Sequence, residues 1–167
     1  MIHYCSPQNT EKNIGKAYND DMDLLKPEDW CIFTDGDTCF LTTEYGKIIE
    51  RAIKEYPDTG MFTCFTNRIG TVDALLNYKD YNTDMSYHVK IAKEQEELPF
   101  KVRPFIGLPS GFLMGIKKET FMKVGRFIDG FLGVDNNYGF RLLHNGYKIL
   151  LIENLYIFHL RDLKKTC

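Results

Sequence analysis

The chain has 167 residues and a mass of 19.5 kDa, the size of one domain, and at that length a core forms without disulfide or metal staples. Apolar residues at 44% and aromatics at 14% exclude a disordered composition. Against 23 Asp and Glu there are 21 Lys and Arg, so no cationic excess exists to neutralise a phosphate backbone, which argues against a nucleic-acid partner.

Ile2 to Ser6 reads as a strand ended by Pro7. Thr10 is a fitting N-cap for a helix from Glu11 to Leu25, stopped by Pro27. Trp30 to Thr34 is a continuous apolar run of strand length, the kind buried on both faces of a parallel sheet. From Thr43 onward Tyr45, Ile48, Ile49, Ala52, Ile53 and Tyr56 mark one face of an amphipathic helix, which Pro57 and Gly60 close. Met61 to Thr66 is the next strand and Asp84 to Leu98 the next helix, its charged face solvated. Gly111 to Ile116 reads as a strand, followed by a short helix from Lys118 to Val124. A Gly-rich segment around Asp129 and Asp135 leads to a helix from Tyr138 to Asn145, with Gly146 as its C′ residue. Tyr147 to Ile152 and Leu155 to Phe158 are the last strands. Strands alternating with helices predict an α/β architecture with a largely parallel sheet, as a single domain over residues 1–167.

The five cysteines (Cys5, Cys31, Cys39, Cys64, Cys167) are odd in number and form no Cys-x-x-Cys pair, which speaks against a disulfide framework or a structural zinc site. Cys5, Cys31 and Cys64 sit in apolar runs as small core residues, as expected in a reducing cytoplasm. No apolar run reaches the roughly 18–20 residues of a membrane span, and Met1 to Tyr4 do not open a signal peptide, so a cytoplasmic chain without a membrane span is expected. Nothing in the sequence specifies an oligomeric state.

Ligands of such sheets bind beyond the carboxyl ends of strands. Asp35-Gly36-Asp37 directly follows a buried strand, and two carboxylates one residue apart can share one divalent cation; the plain alternative is a polar Asp-Gly turn. Asp135, among glycines before a helix, suits acid–base chemistry or a helix cap. His159, following the last strand-like runs, is a fair Mn²⁺ or Zn²⁺ ligand or a structural histidine. Asn13 to Asn19 alone would be an ordinary helix carrying one unfavourable glycine.

Taken together and in this order, these segments resemble the GT-A glycosyltransferases. The likeness is to family-two enzymes with the galactosyltransferase-type C-terminal segment of bacterial polysaccharide polymerases, here in a compact bacterial or phage-type form. Ile2 to Asn9 (IHYCSPQN) looks like the strand-Pro-x-Asn opening of the nucleotide site, and Asn13 to Asn19 (NIGKAYN) like the segment lying along the donor. DGD matches the Asp-x-Asp metal motif. Ser110 to Ile149 follows the donor-sugar strand, the acidic helix and the closing Gly-Tyr, and Phe158 to Arg161 (FHLR) matches the His that completes the metal site. Two departures stand out. The stretch between the first strand and DGD is short, so an acidic residue that usually holds base and ribose is missing. The usual acidic pair is Val134-Asp135, which leaves one candidate base.

The resemblance implies a GT-A (nucleotide-diphospho-sugar transferase) fold: an α/β domain, mostly parallel central sheet flanked by helices, with a shortened N-terminal half. It implies transfer of a hexosyl or N-acetylhexosaminyl group from a nucleotide-sugar donor, UDP-linked, to a glycan or other hydroxyl acceptor in polysaccharide biosynthesis. Mn²⁺ or Mg²⁺ is implied on Asp37 and His159, with Asp35 on ribose or a metal-bound water. Donor contacts are implied for Pro7, Asn13, Gly15, Tyr18, Asn19, Asp35, Gly36, Ser110, Gly111 and Arg161. Asp135 is implied as the general base of an inverting transfer. Two rivals remain. CIFTDGDT also looks like the nucleophile motif of haloacid dehalogenase-like phosphatases, with Asp35 phosphorylated and Asp37 as acid/base. The other is a degenerate GT-A protein that binds nucleotide or glycan without turnover.

Overall fold

A computed structural model describes residues 1–160. Seven strands form one mixed sheet: β1 (Ile2–Cys5), β2 (Trp30–Phe33), β3 (Thr38–Phe40), β4 (Met61–Thr66), β5 (Val102–Pro104), β6 (Met114–Lys117) and β7 (Ile149–His159). The order across the sheet is β1-β2-β6-β4-β7-β3, with β5 also on β7. β1 and β2 pair parallel, as do β4 and β7, and β6 lies antiparallel between β2 and β4. The four strands β1, β2, β4 and β7 therefore share one direction, and they make the parallel core that strand–helix alternation predicts. Every residue of β2 is buried, in keeping with its unbroken apolar run.

That arrangement decides where loops meet. β2, β4 and β7 all end at the same edge, and because β6 runs the other way, the residues preceding it arrive at that edge too. Gly111 to Leu113 are loop, and pairing begins only at Met114, because the Gly111 N–H is committed to the Asp135 carboxylate at 2.8 Å. The two expected C-terminal strands are one strand whose register against β4 slips between Cys64 and Phe65, passing over Glu153 to Leu155. There the buried Asn154 side chain accepts from the Lys101 N–H and donates to the Leu98 and Pro99 carbonyls, so the break shows as a bulge. β3 and β5 went unread in the sequence; each is three residues long and exists through pairing with β7.

The helices are α1 (Ile14–Asp23), α2 (Tyr45–Glu55), α3 (Met85–Glu97), α4 (Lys118–Val124) and α5 (Val134–His144), with a 3₁₀ turn at Val72–Ala74. α2, α3 and α4 lie where periodicity puts them. α1 starts three residues late. The Asn9 side chain accepts from the Glu11 and Asn13 N–H groups, Lys12 takes φ 55°, and Asn13 rather than Thr10 caps the helix by accepting from the Lys16 N–H at 2.9 Å. α5 starts four residues early, because Gly133 at φ 72° lets the chain enter the helix at Val134. Its end is as expected: Gly146 at φ 80° sends its N–H to Leu143 O while the Tyr147 N–H reaches Leu142 O, a Schellman closure.

The segment from Phe127 to Gly130 is stitched to α1. Asn19 donates to Phe127 O and accepts from Phe127 N–H, Asn13 accepts from the Gly130 N–H and donates to Asp129, and the Gly15 N–H donates to Gly130 O. The approach is so close that a Cβ on Gly15 would lie 1.8 Å from the Ile128 carbonyl oxygen. Gly15→Ala is expected to destabilise by about 2–3 kcal/mol despite its gain in helix propensity, lowering the melting temperature by roughly 5–10 °C in a calorimetric scan. An unchanged or raised melting temperature would refute this packing.

Candidate active site

At the shared strand edge the chain forms an open cleft of about 720 Å³. β2 delivers Asp35, Gly36 and Asp37 into it, and β7 delivers His159. Thr38 donates to the Asp35 carbonyl from both its N–H (3.1 Å) and its hydroxyl (2.7 Å), and the Leu160 N–H donates to Asp37 O at 2.9 Å. That turn feeds β3, whose Thr38 pairs with His159, so the Asp-x-Asp segment and the histidine are joined through backbone. One ligand atom each of Asp35, Asp37 and His159 lies within 4.8 Å of the others, with His159 Nε2 3.3 Å from Asp37 Oδ1. Two carboxylates and an imidazole are a donor set suited to Mn²⁺ or Mg²⁺.

His159 is buried, and Asn67 holds it there. The Asn67 side chain accepts from the His159 N–H at 2.8 Å and donates to the His159 carbonyl at 3.2 Å, extending strand pairing one residue past the end of β4. The Phe112 ring stacks at 6.2 Å on the imidazole.

Asp135 faces the same cleft from the first turn of α5. Its Oδ2 accepts from the Gly111 N–H and its Oδ1 from the Asn136 N–H, both at 2.8 Å. The cap expected of Asp135 is not found: Gly133 holds that position without a side-chain bond, and Asp135, inside the first turn, instead ties α5 to the loop before β6. Ser110 and Gly111 line the cleft between the two acidic centres, and a Cβ on Gly111 would lie 2.8 Å from the Tyr18 hydroxyl and 2.9 Å from Asp35 Oδ1. The Tyr18 ring packs between Phe33 and Phe127. Burial, then the charges of Asp35 and Asp135, raise its pKa, so the phenol stays protonated.

Of the residues implied as donor contacts, Pro7, Tyr18, Asp35, Gly36, Ser110 and Gly111 line the cleft. Asn13, Gly15 and Asn19 face residues 127–130 instead, and by doing so set the positions of Ile14 and Tyr18, which do line it. Arg161 lies outside the described residues. The sequence reading missed Asn67, whose only signal was a polar residue just past a buried strand, and the cleft walls Ile69, Phe131 and Leu132. Among the described residues lining the cleft there are three carboxylates and no Lys or Arg. A site so charged takes cations, and it takes an anion only along with one.

No family model matches the sequence, and no curated protein does. Among solved structures, the crystal structure of GalNAc-T7 with UDP, GalNAc and Mn²⁺ superposes with a TM-score of 0.62 at 12% identity, over 94% of this chain and 32% of that chain. The fold is therefore that of a GT-A glycosyltransferase, and this chain spans about a third of the length of the structure it matches. Among the described residues no helix is long and apolar enough to cross a membrane.

Proposed function

We propose that residues 1–167 form a single metal-dependent glycosyltransferase domain. It moves a hexosyl or N-acetylhexosaminyl group from a UDP-linked donor to an acceptor hydroxyl, with inversion at the anomeric carbon. The observation that carries this is the convergence of Asp35, Asp37 and His159 on one point, with Asp135 across the same cleft. The donor preference is supported by the structurally similar GalNAc-T7, crystallised with UDP and Mn²⁺. Asp37 and His159, joined by Asp35, would hold Mn²⁺ or Mg²⁺, which when bound offsets the charge developing on the leaving diphosphate.

The protein's own groups supply the rest. Pro7, Gly36, Ser110 and Gly111 form walls for the donor, and the protonated Tyr18 hydroxyl offers a donor hydrogen bond beside Asp35. Asp135 receives the acceptor's proton. Though a carboxylate is a weak base toward a free hydroxyl, that hydroxyl acidifies as its oxygen bonds to the anomeric carbon, so transfer comes late. The two backbone N–H groups on Asp135 fix its orientation without neutralising it. The phosphatase reading has no use for a buried His 3.3 Å from Asp37, and the late acidic residues it needs are engaged elsewhere, Asp129 with Asn13 and Asp135 with Gly111.

A thermal-shift screen of nucleotide sugars with and without Mn²⁺ tests the proposal. At a hundredfold excess over Kd the true donor stabilises by about 2.7 kcal/mol, or roughly 5–10 °C, and does so only with the metal. If no nucleotide sugar shifts the transition, the proposal fails; a shift without transfer across a panel of acceptors identifies the binding-only protein.

Asn67 provides a further check. Asn67→Ala removes both clamps on the His159 backbone, and is expected to weaken Mn²⁺ binding by about 10–100-fold in calorimetric titration. Mn²⁺ affinity equal to that of the natural protein would show that Asn67 does not position the histidine.

A further inference from the structure

Beyond the cleft, the loop between β4 and α3 and the start of α3 carry an exposed aromatic surface. Tyr78 is 70% exposed and Tyr81 58%, and Tyr87 from the first turn of α3 adds a third ring. An aromatic ring left in water forgoes most of its burial free energy, and rings grouped on one face commonly mark a binding surface. This loop is held in place. The Asp80 N–H donates to Asn67 O, Asn67 and Arg68 both donate to Asp80 O, and the Arg68 guanidinium lies 4.9 Å from the centre of the Tyr81 ring. Polar groups stand among the rings. Asp80 and Asn77 line a small indentation of about 40 Å³ together with Tyr78 and Tyr87. The Asp80 carboxylate is beside the Tyr87 hydroxyl and accepts from the Asn82 N–H at 2.8 Å.

The same short stretch of chain reaches the catalytic cleft. Asn67 clamps His159, Arg68 supports Tyr81, and Ile69 and Gly70 line the cleft itself. The Asn67 amide donates both to the His159 carbonyl at 3.2 Å and to the Asp80 carbonyl at 3.3 Å, so the tyrosine loop is anchored beside the His159 side of the cleft, where a ligand leaving the cleft would meet it. The chemistry of that surface selects among ligands. Rings interleaved with a carboxylate and an amide match pyranoses, which present an apolar C–H face and a rim of hydroxyls. Lys79, exposed between Tyr78 and Asp80, balances the Asp80 carboxylate, so this surface offers no net positive charge to a polyanion, and the acidic cleft disfavours one.

We propose that Tyr78, Tyr81 and Tyr87, with Asn77 and Asp80, form a subsite for the distal sugars of a neutral oligosaccharide acceptor, whose reacting end lies in the cleft. This rests on the transferase reading and narrows its acceptor from any hydroxyl to a glycan of several units.

The test is saturation-transfer difference NMR on the full chain with UDP and Mn²⁺ present. The probes are maltohexaose, cellotetraose, chitotetraose and lacto-N-neotetraose, each against its disaccharide. Expected is binding of at least one tetra- or hexasaccharide more tightly than its disaccharide, reduced about tenfold in Tyr78→Ala/Tyr81→Ala and retained in Tyr81→Phe, which keeps the ring. Both tyrosines are exposed, so the double variant should keep its melting temperature and its UDP–Mn²⁺ affinity. Absence of binding by every oligosaccharide, or equal binding by the double variant, overturns the subsite. Loss of UDP–Mn²⁺ binding by the unaltered protein would instead overturn the transferase reading, and the two failures are read from the same samples.

Discussion

Asp37→Asn is expected to lower Mn²⁺ affinity by at least about 100-fold and metal-dependent transfer by about 1,000-fold, with little change in fold stability. The asymmetry follows from where each atom of Asp37 is used. Its carbonyl accepts from the Leu160 N–H and so holds the turn into β3, a bond that the amide variant keeps. Its side chain is exposed apart from the contact to His159 Nε2, and it stands near Asp35, a like charge. Removing one of two neighbouring carboxylates relieves repulsion in the metal-free protein while removing a charged ligand from the site. A variant with normal melting behaviour and lost Mn²⁺ binding is the signature of a ligand. Undiminished Mn²⁺ affinity would leave Asp35 and His159 as a polar turn and a structural histidine, and the metal assignment would fall. His159→Ala is the weaker test, because the buried imidazole also packs on Phe112 and its loss would mix destabilisation with loss of a ligand.

The positions of these residues were legible in the sequence to different degrees. Apolar runs located β2 and β4, and through them Asp35 and Asp37, because a strand buried on both faces has an unmistakable composition and its carboxyl end is where ligands bind. Asp135 was found as a residue but misplaced in structure. Helix-start rules look for a side-chain cap, whereas α5 opens on a left-handed glycine, so four residues of helix were read as loop. Asn13, Gly15 and Asn19 show a different limit. Their spacing matched a donor segment, yet the Asn side chains satisfy backbone groups of residues 127–130, a partner more than 100 positions away that no local pattern reveals. Asn67 and β3 were out of reach for the same reason: each is defined by what β7 does beside it. What periodicity supplies is the frame, and what it misses are the long-range hydrogen bonds that aim side chains from that frame.

Asp135→Asn is expected to reduce the rate of transfer by about 100- to 10,000-fold while leaving Mn²⁺ and UDP affinity unchanged. The substitution nearly preserves shape. The amide oxygen still accepts from the Gly111 N–H, but the other half of the side chain, now an NH₂, can no longer accept from the Asn136 N–H. One lost hydrogen bond costs about 1 kcal/mol, a shift of a few degrees in melting temperature, and the bond to Gly111 keeps the loop before β6 in place. Asp135 is separate from the Asp35–Asp37–His159 group, so donor binding is expected to survive and the loss to fall on kcat rather than on the KM for the nucleotide sugar. A purely structural role predicts the reverse pattern, in which the melting temperature falls and transfer, measured below it, persists. Retention of full activity by Asp135→Asn would therefore remove the base and leave Asp135 as the anchor between α5 and the Gly111 loop. Loss of activity together with loss of UDP binding would mean that the Gly111 contact, and with it the donor wall, had collapsed. Asp135→Ala distinguishes these further, since it gives up both backbone bonds. If the amide and the alanine variants are equally inactive but only the alanine variant is destabilised, the proton and the architecture are served by separate features of the same carboxylate.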